Sequence, residues 1–313
     1  MSSSAVSDGE CEHKTRTILW CMPRSVSTAL TKCLSFTPDT HVWFEPYCYC
    51  SLARREIQNR LQVDLPTFYH GNEHTFHQAA SFMNESTSCK SFKSESLSYN
   101  EVKKSLESWS NKHVFVKDIA FSIGENERPF LPTGFKHTFL IRHPLRSFYS
   151  QRKMMFEHCS KLGLLTGEAA DESTYDLERH NHYMTPGLFI KDVYDLWKYI
   201  RENFDRDPVV MDGDDLLANP SEMLPKYCRA VGLPCEESRL TWDASLNVVK
   251  TWKLPADDLL ENIVAWYGTA TRSSGFKPAN RMPSRDEVTR DVIRCTDQVL
   301  PFYEEMYEHR MKV

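Results

Sequence analysis

A chain of 313 residues that is 41% hydrophobic and 26% charged can bury one large core or two closely joined lobes. Its net charge of −5 and pI of about 6.2 exclude a global attraction to nucleic acid or to an anionic membrane, so local clusters of Arg and Lys must hold any anion. No stretch approaches the roughly 20 apolar residues of a membrane span, and the polar first sixteen residues hold no apolar core of signal-peptide length. The ten cysteines therefore read as reduced, mostly buried thiols of a cytoplasmic protein.

Residues 1–16 are predicted to be a disordered tail ahead of a single domain over 17–313. Residues 17–22 read as a buried strand, and a helix follows from near Ser25 with Leu30, Cys33 and Leu34 on one face. Residues 40–44 form a second strand ending at Glu45-Pro46, and 51–62 a helix. The polar stretch 64–100, rich in His, Ser and Asn, reads as a loop with short helices over the site. Residues 113–119 and 137–142 are strands, and Pro144 suits the first turn of the next helix. Residues 160–186 show little pattern, while 187–204 have helical spacing. A short strand over 208–212 leads into a loop and helix ended by Gly232-Leu-Pro234, and 257–271 and 286–308 are further helices. Strands alternating with helices imply an α/β, three-layer, P-loop-type fold with a central parallel sheet and helices on both faces.

Two strand-to-helix turns carry the chemistry. Pro23-Arg24-Ser25-Val26-Ser27-Thr28 follows the first strand directly. There the unpaired amides of a first helical turn, the hydroxyls of Ser25, Ser27 and Thr28, and the Arg24 guanidinium can grip an oxyanion. The alternative is that Ser25 or Ser27 simply caps the helix. The loop lacks G-x-x-x-x-G-K-[ST], so it is not an ordinary nucleotide triphosphatase loop. In Phe139-Leu-Ile-Arg-His-Pro-Leu-Arg-Ser-Phe-Tyr-Ser150, Arg142 ends a strand and Ser150 lies two helical turns on, so the two can converge on one group. Two such sites suggest a ligand with phosphates at both ends.

At these residues the chain resembles the sulfotransferases that use 3′-phosphoadenylyl sulfate. In that family a P-[KR]-S-x-[ST]-T loop binds the 5′-phosphosulfate, and an Arg and a Ser eight apart bind the 3′-phosphate. The resemblance implies donor contacts from Arg24, Ser25, Val26, Ser27, Thr28 and Ala29, and from Arg142 and Ser150. Residues 209–220 with Gly232-Leu-Pro234 are similar to the family's late strand, turn and helix. Arg272-Ser273-Ser274-Gly275-Phe276-Lys277 looks like its C-terminal loop, which closes over the cofactor. The resemblance spans roughly 17–280, in order. Two features depart from it. Val26 stands where many members carry glycine, which implies a less tightly wound loop, and 115–120 lack the catalytic His of the members acting on phenols and steroids. The chain looks closer to the branch with a P-R-S-x-S-T-A loop and a second strand ending in E-P.

The resemblance implies transfer of a sulfuryl group from 3′-phosphoadenylyl sulfate to a hydroxyl or amine of a small-molecule acceptor, releasing adenosine 3′,5′-bisphosphate. No metal is required, because Arg24 supplies the positive charge. The acceptor proton needs a base. Glu45 is the first candidate, on a second strand read as lying beside the first loop, and Asp118 beside Lys117 is the second. The alternatives are that Glu45 pairs with an arginine such as Arg24 or caps a loop, and that Asp118 pairs with Lys117 or another cation. His70, His74 and His77 fall in the covering loop, and His143 reads as packed or backbone-bonded. Arg146 and Arg152 flank the second site, mainly on a solvated face, and Trp20, Trp43, Phe44, Tyr47 and Tyr49 offer an apolar acceptor pocket or plain core packing. A P-loop small-molecule kinase and a non-catalytic nucleotide-binding protein are the competing functions. The expected partners are the acceptor and at most a second copy in a homodimer, with no nucleic acid and no membrane.

Overall fold

Runs of β-branched and aromatic residues pair into one five-stranded sheet in which every pairing is parallel. The computed structural model describes residues 14–180, 189–234 and 240–312. The first half runs β1 (Thr15–Cys21), α1 (Ser27–Leu34), β2 (Thr40–Phe44), α2 (Pro46–Leu61), α3 (Glu73–Thr87), α4 (Tyr99–Ser108), β3 (His113–Ile119), β4 (Lys136–Ile141) and α5 (Pro144–Lys161). It continues through α6 (Phe189–Asn203), β5 (Val210–Asp212), α7 (Gly213–Ala218), α8 (Pro220–Val231), α9 (Leu260–Thr271) and α10 (Arg290–Glu308).

The strand order is β2-β3-β1-β4-β5. Alternation along each strand divides the apolar side chains between two cores. Ile18, Trp20, Val114, Val116, Phe139 and Ile141 face α4, α5, α6 and α10. Leu19, Cys21, Phe115, Leu140 and Met211 face α1, α3, α8 and α9. The eight cysteines of the described residues are buried thiols divided between these cores. From β1 the chain crosses toward β2, and from β4 it crosses the other way toward β5. The carboxyl ends of β1 and β4 therefore form the switch point at which α/β sheets hold ligands.

Several predicted boundaries move. β1 opens at Thr15, inside the predicted tail, whose residues 1–13 lie outside the described residues, as does the 181–188 part of the predicted insertion. The predicted loop over 64–100 contains a 15-residue helix, α3, whose buried face is only Phe76, Ala79, Ala80 and Met83. Trp20, Trp43, Phe44, Tyr47 and Tyr49 all pack in the two cores. Among the described residues no helix is long and apolar enough to cross a membrane.

Candidate active site

The loop after β1 is tightly wound. Arg24 and Val26 both hold left-handed backbone conformations, at φ 64° and 75°, and the Ser25 hydroxyl donates to the Met22 carbonyl at 2.8 Å. Val26 is the N-cap of α1 and makes no side-chain cap bond, so neither serine caps the helix and the first-turn amides keep their anion-binding capacity. The loose winding expected from valine in place of glycine is not what forms. The β-branched residue is instead held in a strained conformation costing on the order of 1–3 kcal/mol. Close packing maintains it: a Cβ on Gly213, the first residue of α7, would lie 2.6 Å from the Ser25 carbonyl oxygen.

Arg142 follows β4. Its Nε donates to Asp214 Oδ1 at 2.9 Å and its Nη1 to the Arg24 carbonyl at 3.1 Å. Arg146 Nε shares the same carboxylate, 3.0 Å from Asp214 Oδ2. Arg24 Nε donates to Ser150 Oγ at 3.0 Å, so two motifs expected at opposite ends of a ligand meet at one wall. The other Arg24 partner is the Trp266 carbonyl, at 3.5 Å. Burial pushes the Arg24 guanidinium below its ordinary pKa, and the charge of Arg142 adds to the effect. Among the described residues, Arg24 is thus a partly buried cation hydrogen-bonded to a hydroxyl and a carbonyl, a setting that can accept an anion.

These groups line a cavity of about 310 Å³. Arg24 to Ala29, Arg142, Ser150 and Arg272 to Gly275 all lie in its wall. So do Phe276 and Lys277 of the expected C-terminal loop, and Leu217, Trp266, Tyr267, Thr269 and Ala270, which the sequence did not point to. Among the described residues, the charged members of the lining are Arg24, Arg142, Arg272 and Lys277, with no carboxylate. The buried Lys32 on α1 ties down the C-terminal rim, donating to the carbonyls of Thr271 at 2.7 Å and Ser273 at 2.9 Å. The Trp242 amide holds the next turn through the Ser274 carbonyl at 3.0 Å.

Glu45, Lys117 and Asp118 lie behind this wall and not in it. β3 separates β2 from β1, which corrects the expectation that Glu45 sits beside the first loop. Its amide donates to the Lys117 carbonyl at 2.7 Å, and its carboxylate is paired with the Lys117 ammonium and not with an arginine. That ammonium also lies over the rings of Phe44 and Tyr267, 4.6 and 5.1 Å from their centroids. Burial works against the charged lysine, but Glu45, Cys21 and Cys48 together lift the Lys117 pKa above its ordinary value. The Tyr267 hydroxyl donates to the same Glu45 Oε1 at 2.9 Å.

Asp118 accepts the amides of Tyr47, Cys48 and Ile119 at 2.7, 3.1 and 2.8 Å. It therefore caps α2 from the neighbouring strand, in place of the expected pairing with Lys117. Burial pushes its carboxyl up to about 8, against the opposing pull of the Tyr47 amide. Arg152 does not lie on a solvated face: it is buried, with Nε 3.1 Å from Asp291 Oδ2. His143 accepts the Leu145 amide at 3.3 Å and packs against the Tyr303 ring.

A family model described as a sulfotransferase domain matches residues 202–310, the part that supplies β5, α7 and the rim of the cavity. No curated protein matches. Among solved structures, the sulfotransferase domain from the Synechococcus PCC 7002 olefin synthase is 13% identical, with 95% of this chain and 98% of that chain covered and a TM-score of 0.43. The sulfotransferase domain from the curacin biosynthetic pathway is 14% identical, with 92% and 98% covered and a TM-score of 0.42. The family model covers the C-terminal third of the chain, and it is this part that is similar to a sulfotransferase domain.

Proposed function

We propose that this protein moves a sulfuryl group from 3′-phosphoadenylyl sulfate to a hydroxyl or amine of a small-molecule acceptor. One observation supports the choice of donor: four cations and the N-terminus of α1 converge on one cavity whose lining, among the described residues, contains no carboxylate. A ligand with anionic groups at more than one point satisfies such a wall. The donor, when bound, supplies an activated sulfuryl group on a phosphosulfate anhydride.

In this reading the chain positions groups and neutralises charge. Arg142, oriented by Asp214, holds the 3′-phosphate with Ser150 and the Arg272 rim. The first-turn amides of α1, with Ser27 and Thr28, hold the phosphosulfate. Arg24 exchanges the uncharged Ser150 hydroxyl for an anionic oxygen and stabilises the negative charge that develops on the leaving phosphate.

Titration calorimetry with adenosine 3′,5′-bisphosphate tests this reading. Binding is expected to exceed that of ATP with magnesium, and Arg142→Ala is expected to weaken it by about 10- to 100-fold, the worth of one charged hydrogen-bonding group. A preference for ATP would favour a kinase instead.

A further inference from the structure

The Glu45 carboxylate, the first candidate for the base, has no face on the cavity. The Glu45 side chain is 4% exposed and is held by Lys117 on one side. Tyr267 links it to the cavity, since this residue is part of the lining and its hydroxyl bonds to Glu45 Oε1. The backbone marks the same residue: α9 leaves helical geometry at Tyr267, at φ −120° and ψ 22°. The ring is fixed edge-on to Phe44, 5.6 Å between centroids, with the Lys117 ammonium over its face.

We propose that the Tyr267 hydroxyl is a proton relay, carrying the acceptor's proton from the cavity to the Glu45 carboxylate. The proposal rests on the sulfuryl-transfer reading above. As the acceptor oxygen bonds to sulfur, the sulfur–oxygen bond of the phosphosulfate breaks and its electron pair leaves with the phosphate. The acceptor proton passes to the Tyr267 oxygen while the Tyr267 proton passes to Glu45 Oε1. Tyr267 ends neutral, and Glu45 ends as a neutral acid beside the Lys117 ammonium. Reversal of the relay to water resets the site once product has left.

Burial, reinforced by the Glu45 charge, holds the tyrosine pKa well above its ordinary value, which suits a group that passes a proton on and does not ionise. The titratable groups around it are Glu45, Cys48 and Tyr49 near the start of α2, Lys117 on β3, Cys21 at the end of β1 and Arg24 on the loop. Lys117 also stabilises the carboxylate before transfer and keeps its charge afterwards.

The test uses the full chain, labelled 3′-phosphoadenylyl sulfate and water as the acceptor, with sulfate release as the readout. Tyr267→Phe keeps the ring packing against Phe44 and is expected to melt like wild type and to bind adenosine 3′,5′-bisphosphate equally well. Its sulfate release should fall by about 100-fold or more, the usual worth of general acid–base help. The slowing of the wild-type reaction in heavy water should disappear with it, an effect that a merely structural tyrosine would not produce. Sulfate release by Tyr267→Phe at the wild-type rate would overturn the relay and leave the donor reading intact. So would a wild-type protein that binds the bisphosphate but releases no sulfate above buffer. A wild-type protein that binds no bisphosphate would sink the sulfuryl-transfer reading and the relay together.

Discussion

At the scale of single residues, Val26 shows how the loop is held. A valine at φ 75° is a steric outlier, since its two γ-methyls crowd the following peptide. Glycine would adopt the same turn without strain, although it loses more chain entropy on folding. Relief of the roughly 1–3 kcal/mol of strain is opposed by about 1 kcal/mol of added chain entropy and by the loss of a partly buried side chain, so Val26→Gly is expected to leave stability within about 1 kcal/mol of wild type. Chemical denaturation measures this. A larger loss would mean that the contact of the valine with the start of α7 outweighs the strain. The cations were legible in the sequence because each sits beside a turn signal: Arg24 after a proline, Arg142 just before the proline that starts α5, and Arg272 before a Ser-Ser-Gly turn. Tyr267 was not legible, since it lies within a helix and reaches the cavity where α9 departs from helical geometry, which no residue spacing announces.

At the scale of elements, the approach of α7 to the loop sets the width of the site. A methyl at position 213 would press on the backbone oxygen of Ser25, 2.6 Å away, and no side-chain rotation relieves that contact. Gly213→Ala is therefore expected to cost about 1–3 kcal/mol by overpacking. Because it shifts the loop, it should also weaken bisphosphate binding roughly tenfold, a change worth 1.4 kcal/mol. Unchanged affinity in calorimetry would show that the loop tolerates the shift.

Asp212 supports the same junction. Its Oδ1 accepts the amides of Asp214 and Asp215, at 2.8 and 3.1 Å, and its Oδ2 accepts the Tyr303 hydroxyl at 3.0 Å. Burial pushes its pKa from 3.8 to about 6, with the charges of Asp214 and Asp215 adding to the rise. The folded state thus holds this proton more tightly than the unfolded state. Its contribution to stability is fully present below pH 3.8 and is lost as pH rises through about 6. Denaturation midpoints of Asp212→Asn and wild type should diverge across that window, and parallel profiles would assign the titration to another group.

The strands were the most legible elements. β2 and β3 fall on their predicted bounds, because buried parallel strands read as unbroken apolar runs. Their order in the sheet was not legible: chain order places β2 beside β1, and only the observed pairing shows β3 between them. That insertion is what moves Glu45 behind the cavity wall.

At the scale of the whole molecule, a chain of net charge −5 gathers four cations around one cavity. Their mutual repulsion is a standing cost that a bound anion removes. At a concentration 100 times the dissociation constant, adenosine 3′,5′-bisphosphate should stabilise the fold by about 2.7 kcal/mol. For a chain of this length that is a rise in melting temperature of roughly 3–5 °C. The dissociation constant itself should rise with ionic strength as salt screens the exposed members of the group. Melting curves in low and high salt, with and without the bisphosphate, read both effects.

The distribution of the thiols gives the protein a built-in record of where it breathes. Cys159 and Cys295 lie on the side of the sheet covered by α5 and α10, whereas Cys33 and Cys228 lie beneath α1 and α8 on the other. An alkylating reagent reaches either group only through transient local opening. The order in which mass spectrometry finds them modified therefore ranks the two faces by the ease with which they come apart. A ligand seated at the carboxyl edge of β1 would slow modification first at Cys33, on the helix that begins at the loop after β1.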